Sequence, residues 1–369
     1  MKKTQLVKLA IKHGINYYLQ KISFYTNLNL CKPSQVFVFI TLSCNLKCKQ
    51  CDSWKCKNIK ELSTEEWKKI IEDLKKWLGY FHLVFTGGEP LLRRDIVELI
   101  KFASKLGITT SVNTNGIPIS KEMADRLIRS GLDRLNISLD GINAKTHDSL
   151  RGKGVFKKVI SNIEHLSKKR KHLKICIDTI LMGKNLDEII RLVKWEKSKG
   201  LYGAFQALTP NSFSLELKKY RGGYRRGWYK KNKFWPKDTN KVRRVIDDII
   251  LMKKKGYNIL NSIKQLELMK EYFKYPNRPL QNLSCITGVD KYYIFPEGSV
   301  LLCFFRRPIG NLAKQSAKDI WLSKKATSLR RQIKKCKKQC ILMNCNFDEG
   351  LKSKVYKFRG YVQTQEGVA

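Results

Sequence analysis

The stretch Val36-Phe37-Val38-Phe39-Ile40-Thr41-Leu42-Ser43-Cys44-Asn45-Leu46-Lys47-Cys48-Lys49-Gln50-Cys51 decides how the chain is read. Its first half is β-branched and aromatic, which predicts a strand. Its second half sets three cysteines at C-x3-C-x2-C spacing directly after that strand. Three thiolates so spaced can hold three irons of a [4Fe–4S] cluster and leave the fourth iron without a protein ligand. An open coordination position separates a catalytic metal site from a closed structural one. Structural zinc is the rival reading, with Cys56 as fourth ligand; otherwise Cys56 is an inert thiol on the following turn.

Outward from this stretch a strand–helix alternation continues. Candidate strands lie at 35–42, 81–86, 108–114, 133–139, 174–181 and 202–208. The helical pattern after the cysteines opens on Ser63-Thr64-Glu65-Glu66, a capping-box signature, and closes at Gly79. Further helical patterns cover 94–106, 120–130, 156–169 and 185–199, several ended by Gly107, Gly131 or Gly200. Six strands with five intervening helices imply an α/β fold, a parallel sheet curled into a partial (β/α)6 barrel of TIM type. The domains expected are a basic extension (1–32), the barrel (33–210), a basic-aromatic insertion with two helices (211–275), a small cysteine-rich domain (276–350) and a tail (351–369). Tyr275-Pro276-Asn277-Arg278-Pro279 marks the boundary before the cysteine-rich domain.

The ends of the predicted strands carry an ordered set of motifs. Thr86-Gly87-Gly88-Glu89-Pro90 ends the second, and Asn113-Thr114-Asn115-Gly116 ends the third. Asn136-Ile137-Ser138-Leu139-Asp140-Gly141 ends the fourth, followed by His147-Asp148 and Arg151-Gly152. The C-terminal ends of strands are where barrel active sites sit. Taken with Cys44, Cys48 and Cys51, the series resembles the radical S-adenosylmethionine (radical SAM) enzymes over residues 33–210.

The resemblance implies a site-differentiated [4Fe–4S] cluster and SAM as cofactors. It implies that Gly87, Gly88, Glu89 and Pro90 hold the methionyl amino group. It places Asn113 in the same cofactor-binding set, and Ser138 and Arg151 against the ribose and carboxylate. Asn185 and Glu188 look like a weaker adenine-side motif, and His147 reads as structural. Gln50 departs from the pattern, since many members carry an aromatic residue there. The implied chemistry is reductive cleavage of SAM to a 5′-deoxyadenosyl radical that abstracts hydrogen from a substrate.

The C-terminal cysteines are spaced Cys285-x12-Gly298-x4-Cys303, then Cys336-x3-Cys340-x4-Cys345. Residues 291–303 read as a hairpin turning at Pro296-Glu297-Gly298. With Gly310-Asn311-Leu312 and Asp319-Ile320-Trp321 the region resembles the SPASM/twitch auxiliary-cluster domains. Five cysteines suffice for one cluster with four thiolate ligands, so a second, auxiliary [4Fe–4S] cluster is implied. Cys285 and Cys303 are its firmest ligands, with Cys340 and Cys345 ranked before Cys336. A zinc site on the same thiolates is the alternative.

Composition narrows the rest. Lys plus Arg number 74 against 31 Asp plus Glu, a net charge of +43. The excess is spread along the chain and fits either a general lysine bias or a polyanionic partner. Eight basic residues between Lys324 and Lys338 suggest a docking patch for an acidic one-electron donor of flavodoxin or ferredoxin type. Residues 218–235 carry eight Lys/Arg, no acid and six aromatics; a lid, a surface loop or an RNA contact all fit. Residues 6–19 have helical apolar spacing, expected to pack against the barrel, with a membrane surface as the alternative. No apolar run approaches the roughly 20 residues of a transmembrane segment. Eleven cysteines without an export signal point to metal sites and a cytoplasmic protein. The expected function is a radical SAM enzyme acting on an unknown peptide, small molecule or cofactor precursor. The rivals are a radical SAM RNA-modifying enzyme and a non-catalytic iron–sulfur or zinc scaffold that binds nucleic acid. A scaffold has no need of Gly87-Gly88-Glu89 or Arg151.

Overall fold

The computed structural model describes residues 3–26, 28–56, 59–170, 172–210, 226–278, 283, 285–340, 344, 346–348 and 350. Six strands run parallel in the spatial order β6-β5-β4-β3-β2-β1. They are β1 (Gln35–Thr41), β2 (His82–Gly87), β3 (Thr109–Thr114), β4 (Arg134–Ser138), β5 (Lys174–Leu181) and β6 (Tyr202–Ala207). Each lies within two residues of its expected bounds. The barrel stays open, because β6 and β1 are not neighbours.

The helices that cross between these strands bury one face each. In α2 (Thr64–Leu78) that face is Trp67, Ile70, Ile71, Leu74 and Leu78. Fully burying one such side chain stabilises the fold by about 1.5–3 kcal/mol. The capping box at its start forms as expected, with Ser63 accepting from Glu66 N–H and the Glu66 carboxylate accepting from Ser63 N–H. After it come α3 (Ile96–Lys105), α4 (Lys121–Arg129), α5 (Ala144–Arg151), α6 (Val155–Lys169) and α7 (Ile189–Ser198), then α8 (Thr239–Lys254) and α9 (Ile263–Lys274).

Beyond residue 276 the chain returns to the same sheet. After the short α10 (Thr287–Asp290), β7 (Lys291–Ile294) pairs in parallel with β1, Gln35 opposite Lys291. Next, β8 (Ser299–Leu301) and β9 (Gly310–Asn311) add antiparallel, giving a nine-stranded sheet. The hairpin expected at 291–303 is therefore present, with the turn at Pro296–Gly298, and it extends the barrel at β1. Finally α11 (Ala317–Leu322) and α12 (Lys324–Lys334) pack behind it.

The opposite edge is covered differently. Gly203 of β6 exchanges backbone hydrogen bonds with Asn258 and Leu260, both 2.8 Å. Two side-chain amides then act as strand residues. Asn261 accepts from Phe205 N–H at 2.7 Å and donates to Phe205 O at 2.8 Å. Asn344 accepts from Ala207 N–H at 2.8 Å and donates to Ala207 O at 3.0 Å. An exposed strand edge is a template for unwanted pairing; here alternate residues along β6 are all matched.

The N-terminal helix α1 (Lys3–Thr26) forms as the spacing predicts. It does not chiefly pack on the barrel. Gln20 Nε2 donates to Asp290 Oδ1 (3.1 Å), and Tyr17 O–H donates to Asp348 Oδ2 (3.3 Å), so α1 rests on the C-terminal region. The reason is chemical: its buried face presents Gln20 and Ser23, which need polar partners rather than an apolar sheet.

Candidate active site

The carboxyl ends of the strands surround a cavity of about 280 Å³ lined by Cys44, Cys48, Cys51, Gly87, Gly88, Asn113, Ser138 and Arg151. Eight of the sequence-predicted site residues thus meet in one place. The cysteine loop is fastened on two sides. Gly88 N–H donates to Thr41 O (2.9 Å) and Glu89 N–H to Ser43 O (2.8 Å), while Lys49 N–H donates to Leu150 O (2.9 Å) on α5. Only glycine allows the first approach: a Cβ on Gly88 would overlap the carbonyl oxygens of Ser43 and Leu42.

Glu89 and Pro90 lie behind this cavity. Glu89 is fully buried, and its carboxyl accepts from Leu91 N–H (3.0 Å), Thr114 O–H (2.8 Å) and Asn115 N–H (2.6 Å). It therefore ties the end of β3 to the turn after β2. Burial pushes its carboxyl up to about 7. Asn115, quoted in a motif but given no role above, carries the tie on to the thiols. Its Nδ2 donates to Asn45 Oδ1 (2.7 Å) and lies 3.9 Å from Cys44 Sγ.

Asp140 is the residue the sequence reading missed. It is fully buried, and Oδ2 accepts from Arg151 Nε (2.7 Å) and Gln50 Nε2 (2.9 Å). Oδ1 accepts from Ile180 N–H (3.1 Å). One carboxylate thus positions the cavity's arginine, the residue just before the third cysteine, and β5. Its motif, Ser138-Leu139-Asp140, drew attention only to the serine. Asn185 donates to Asp140 O (3.0 Å). Glu188 accepts from Ile142 N–H (2.8 Å) and from the Thr146 hydroxyl. Both are buried and brace the 140–146 turn instead of lining the cavity.

His147 is structural. It is fully buried, and Nδ1 accepts from Asp140 N–H at 3.1 Å. Burial, with the Arg151 charge adding, pushes the ring down to about 4. Below the ordinary value of about 6.5 the unfolded chain therefore binds a proton that the folded chain refuses. Stability contributed by the neutral ring is lost as pH falls from 6.5 toward 4, about 2 kcal/mol by pH 5. Asp178, whose carboxyl burial pushes up to about 6, works in the opposite direction. Urea unfolding of the metal-free chain against His147→Gln isolates the histidine. The wild-type advantage should shrink by about 2 kcal/mol between pH 7 and pH 5; an equal difference at both values would refute the neutral buried ring.

The three thiols share the cavity wall, although no three His, Cys, Asp or Glu side chains among the described residues converge on a single metal ion. Burial pushes Cys44 up to about 11 and also raises Cys48 and Cys51, with the neighbouring thiols adding to Cys44 and Cys51. Arg151 is the cation that opposes this at Cys48 and Cys51. Three buried thiols beside one arginine become thiolates most readily when metal supplies further positive charge. The cavity also fits a polar cofactor: Gln50 Oε1 is buried at its wall without a hydrogen-bond partner.

At the second cysteine group, burial pushes the Cys285 thiol far up, and Cys340, Cys303 and Cys336 each add to the shift. Cys303 is raised by burial and by Cys336. Cys285 thus feels both Cys336 and Cys340, and Cys303 feels Cys336, although no three such side chains converge on a single metal ion among the described residues; Cys345 lies outside them. Cys303 and Cys340 pack against Phe39, Phe295, Phe304 and Phe305, with the Phe39 and Phe295 rings stacked at 4.8 Å. Asn344, which no motif marked, lines the first cavity while holding β6. The C-terminal region therefore forms part of the wall around Cys44.

Of the basic-aromatic segment, residues 218–225 lie outside the described residues. The remainder is packed: Trp235 lies 5.1 Å from Phe273 and 5.6 Å from Tyr272, and Phe234 is buried with Leu150, Met182 and Leu208. These aromatics support the fold. Within the 324–338 patch, Arg330 is likewise structural, donating to Gly288 O (2.7 Å) and Trp321 O (2.8 Å).

Comparison with known proteins places this geometry. Residues 38–195 match the radical SAM superfamily, and residues 285–346 match the SPASM iron–sulfur cluster-binding domain. An AdoMet-dependent heme synthase of Methanosarcina barkeri is 34% identical over 164 residues, 44% of this chain and 46% of the relative. The mycofactocin maturase MftC of Mycolicibacterium smegmatis is 39% identical over 129 residues, 35% of this chain and 33% of the relative. The matches thus span less than half the length of these relatives. Streptococcus suis SuiB, solved bound to S-adenosylmethionine, shares the fold with a TM-score of 0.63 at 19% identity, over 88% of this chain and 74% of SuiB. A radical SAM domain implies a [4Fe–4S] cluster and SAM, and a SPASM domain implies auxiliary iron–sulfur clusters. Residues 38–195 are therefore a radical SAM domain and residues 285–346 a C-terminal SPASM domain.

Proposed function

We propose that this protein is a radical SAM enzyme that abstracts hydrogen from a peptide or a cofactor precursor. The observation that carries this reading is the single cavity in which Cys44, Cys48 and Cys51 face Gly87, Gly88, Asn113, Ser138 and Arg151. When bound there, the cluster and SAM supply a 5′-deoxyadenosyl radical. The chain's own residues bind, orient and shield. Cys44, Cys48 and Cys51 hold three irons. The Gly87–Gly88 backbone receives the methionyl amino group, with Glu89 and Pro90 shaping that turn from behind. Arg151, held by Asp140, meets the carboxylate, and Ser138 with Asn113 the ribose side. Gln50, its amide fixed on Asp140, leaves a free carbonyl for the adenine side. The relatives' names, a heme synthase and a maturase, support a cofactor precursor or a peptide as substrate. An acidic one-electron donor docks on the basic residues around α12. Neither the RNA-modifying reading nor the nucleic-acid scaffold gains support from these comparisons.

The test is anaerobic reconstitution, then incubation with SAM, reductant and cell extract fractionated into peptides, small molecules and RNA. Formation of 5′-deoxyadenosine that rises with the peptide or small-molecule fraction supports the reading; stimulation by RNA alone rejects the substrate class. For the auxiliary site, a Cys44→Ala/Cys48→Ala/Cys51→Ala variant should keep about half the iron of a chain with two four-iron clusters. It should also keep about half the visible absorption while losing SAM cleavage. Iron absent and about one zinc per chain would make the C-terminal site a zinc staple.

A further inference from the structure

The outer face of α1 is apolar and bare. Ile11, Ile15, Tyr18, Ile22 and Tyr25 are 43% to 65% exposed. Their spacing is four, three, four and three residues, so at 3.6 residues per turn they fall within an arc of roughly 80°. The stripe is about 20 Å long, and Leu28 and Leu30 continue the exposed apolar surface past the helix end. The opposite face is fixed: Gln20 and Ser23 are buried, with Gln20 bonded to Lys32 O and Asp290. The helix therefore cannot roll its stripe inward without breaking those bonds.

Charge selects what covers the stripe. The first 51 residues contain eight lysines and no Asp or Glu. Lys21 is engaged by Asp348, and the sequence of the same helix also carries Lys3, Lys8 and Lys12. A second copy of the chain would bring the same basic helix, and a net charge of +43, against itself. The chain's own residues 351–369 carry four Lys/Arg and one Glu, so they match no better. An anionic lipid surface offers both an apolar layer for the stripe and negative headgroups for the lysines. Among the described residues no helix is long and apolar enough to cross a membrane. We propose that α1 is an amphipathic anchor that lays this protein on anionic bilayers, with Ile11, Ile15, Tyr18, Ile22 and Tyr25 sunk at the headgroup–acyl boundary. The proposal is independent of the catalytic reading.

The full chain is sedimented with vesicles of phosphatidylcholine alone and of phosphatidylglycerol and phosphatidylcholine in equal parts. It should pellet with the anionic vesicles, not with the neutral ones, and less at high salt. An Ile15→Ser/Tyr18→Ser/Ile22→Ser variant should lose about tenfold or more of its partitioning. Its thermal unfolding should change little, because these side chains are about half exposed. A Lys8→Gln/Lys12→Gln variant, which keeps the stripe, should lose severalfold on anionic vesicles only. Three outcomes overturn the proposal: no vesicle binding, binding undiminished in the triple-serine variant, or a dimer in light scattering that the triple-serine variant dissolves.

Discussion

Replacing Cys48 by Ala should reduce 5′-deoxyadenosine formation from SAM to background, because a cluster held by three thiolates loses one of them. The size follows from the site. Cys44, Cys48 and Cys51 share one cavity, and among the described residues no other cysteine lines it. Cys56 opens instead onto a separate pocket beside Ile59 and Arg93, so it cannot serve as a spare ligand without rebuilding the loop. The loop backbone is held by hydrogen bonds to Thr41, Ser43 and Leu150 that do not involve the Cys48 side chain. The variant should therefore fold, keep its C-terminal site and fail only in cleavage. Liquid chromatography of anaerobic reactions measures the product, and near-normal turnover in Cys48→Ala would remove the assignment of all three thiols.

Asp140→Ala should be the most destabilising single change around the cavity, at about 3–5 kcal/mol, because it strands a buried arginine. Arg151 is 10% exposed and its nearest anion is Asp140 at 2.7 Å. The same change removes the acceptor for Gln50 Nε2 and Ile180 N–H. Three donors around the cavity lose their partner together. Asp140→Asn keeps an acceptor but not the charge, so it should lose less stability while still loosening Arg151. Denaturant unfolding reads the first effect, and equilibrium dialysis of SAM against the reconstituted Asp140→Asn protein reads the second. If Asp140→Asn bound SAM as tightly as wild type, Arg151 would need no anchoring by Asp140.

Local signals carried much of this architecture and distant pairings did not. Ser63 through Glu66 announced α2 because a capping box is written in four consecutive residues. The β5 bounds, Lys174–Leu181, agreed with the expected 174–181 because a β-branched run sat between a basic turn and Gly183. By contrast, Lys291-Tyr292-Tyr293-Ile294 reads as a strand but says nothing of its neighbour. Its pairing with β1 depends on a partner 256 residues away. Asn261 and Asn344 were invisible for another reason: a side-chain amide that imitates a strand has no periodicity to detect. Cys44, Cys48, Cys51, Gly87, Gly88, Ser138 and Arg151 were legible because glycine turns and clustered thiols are rare except where chemistry needs them. Asp140 was not, since a buried carboxylate that orients others looks like any loop aspartate.

The parallel pairing of β7 with β1 also orders events during synthesis. Gln35 leaves the ribosome 256 residues before Lys291. At about 5–20 residues per second, β1 waits roughly 13–50 s with its outer edge unpaired. Loop-closure entropy makes this contact late even after the chain is complete. During that interval β1 is paired on one side only, with β2, while the cysteine loop that follows it already has its partners on the turn after β2 and on α5. Metal delivered to the nascent chain would meet reactive thiols on an unfinished sheet. An unpaired strand edge held open for that long is a template for wrong pairing, and this topology leaves it open until the last third of the chain is made.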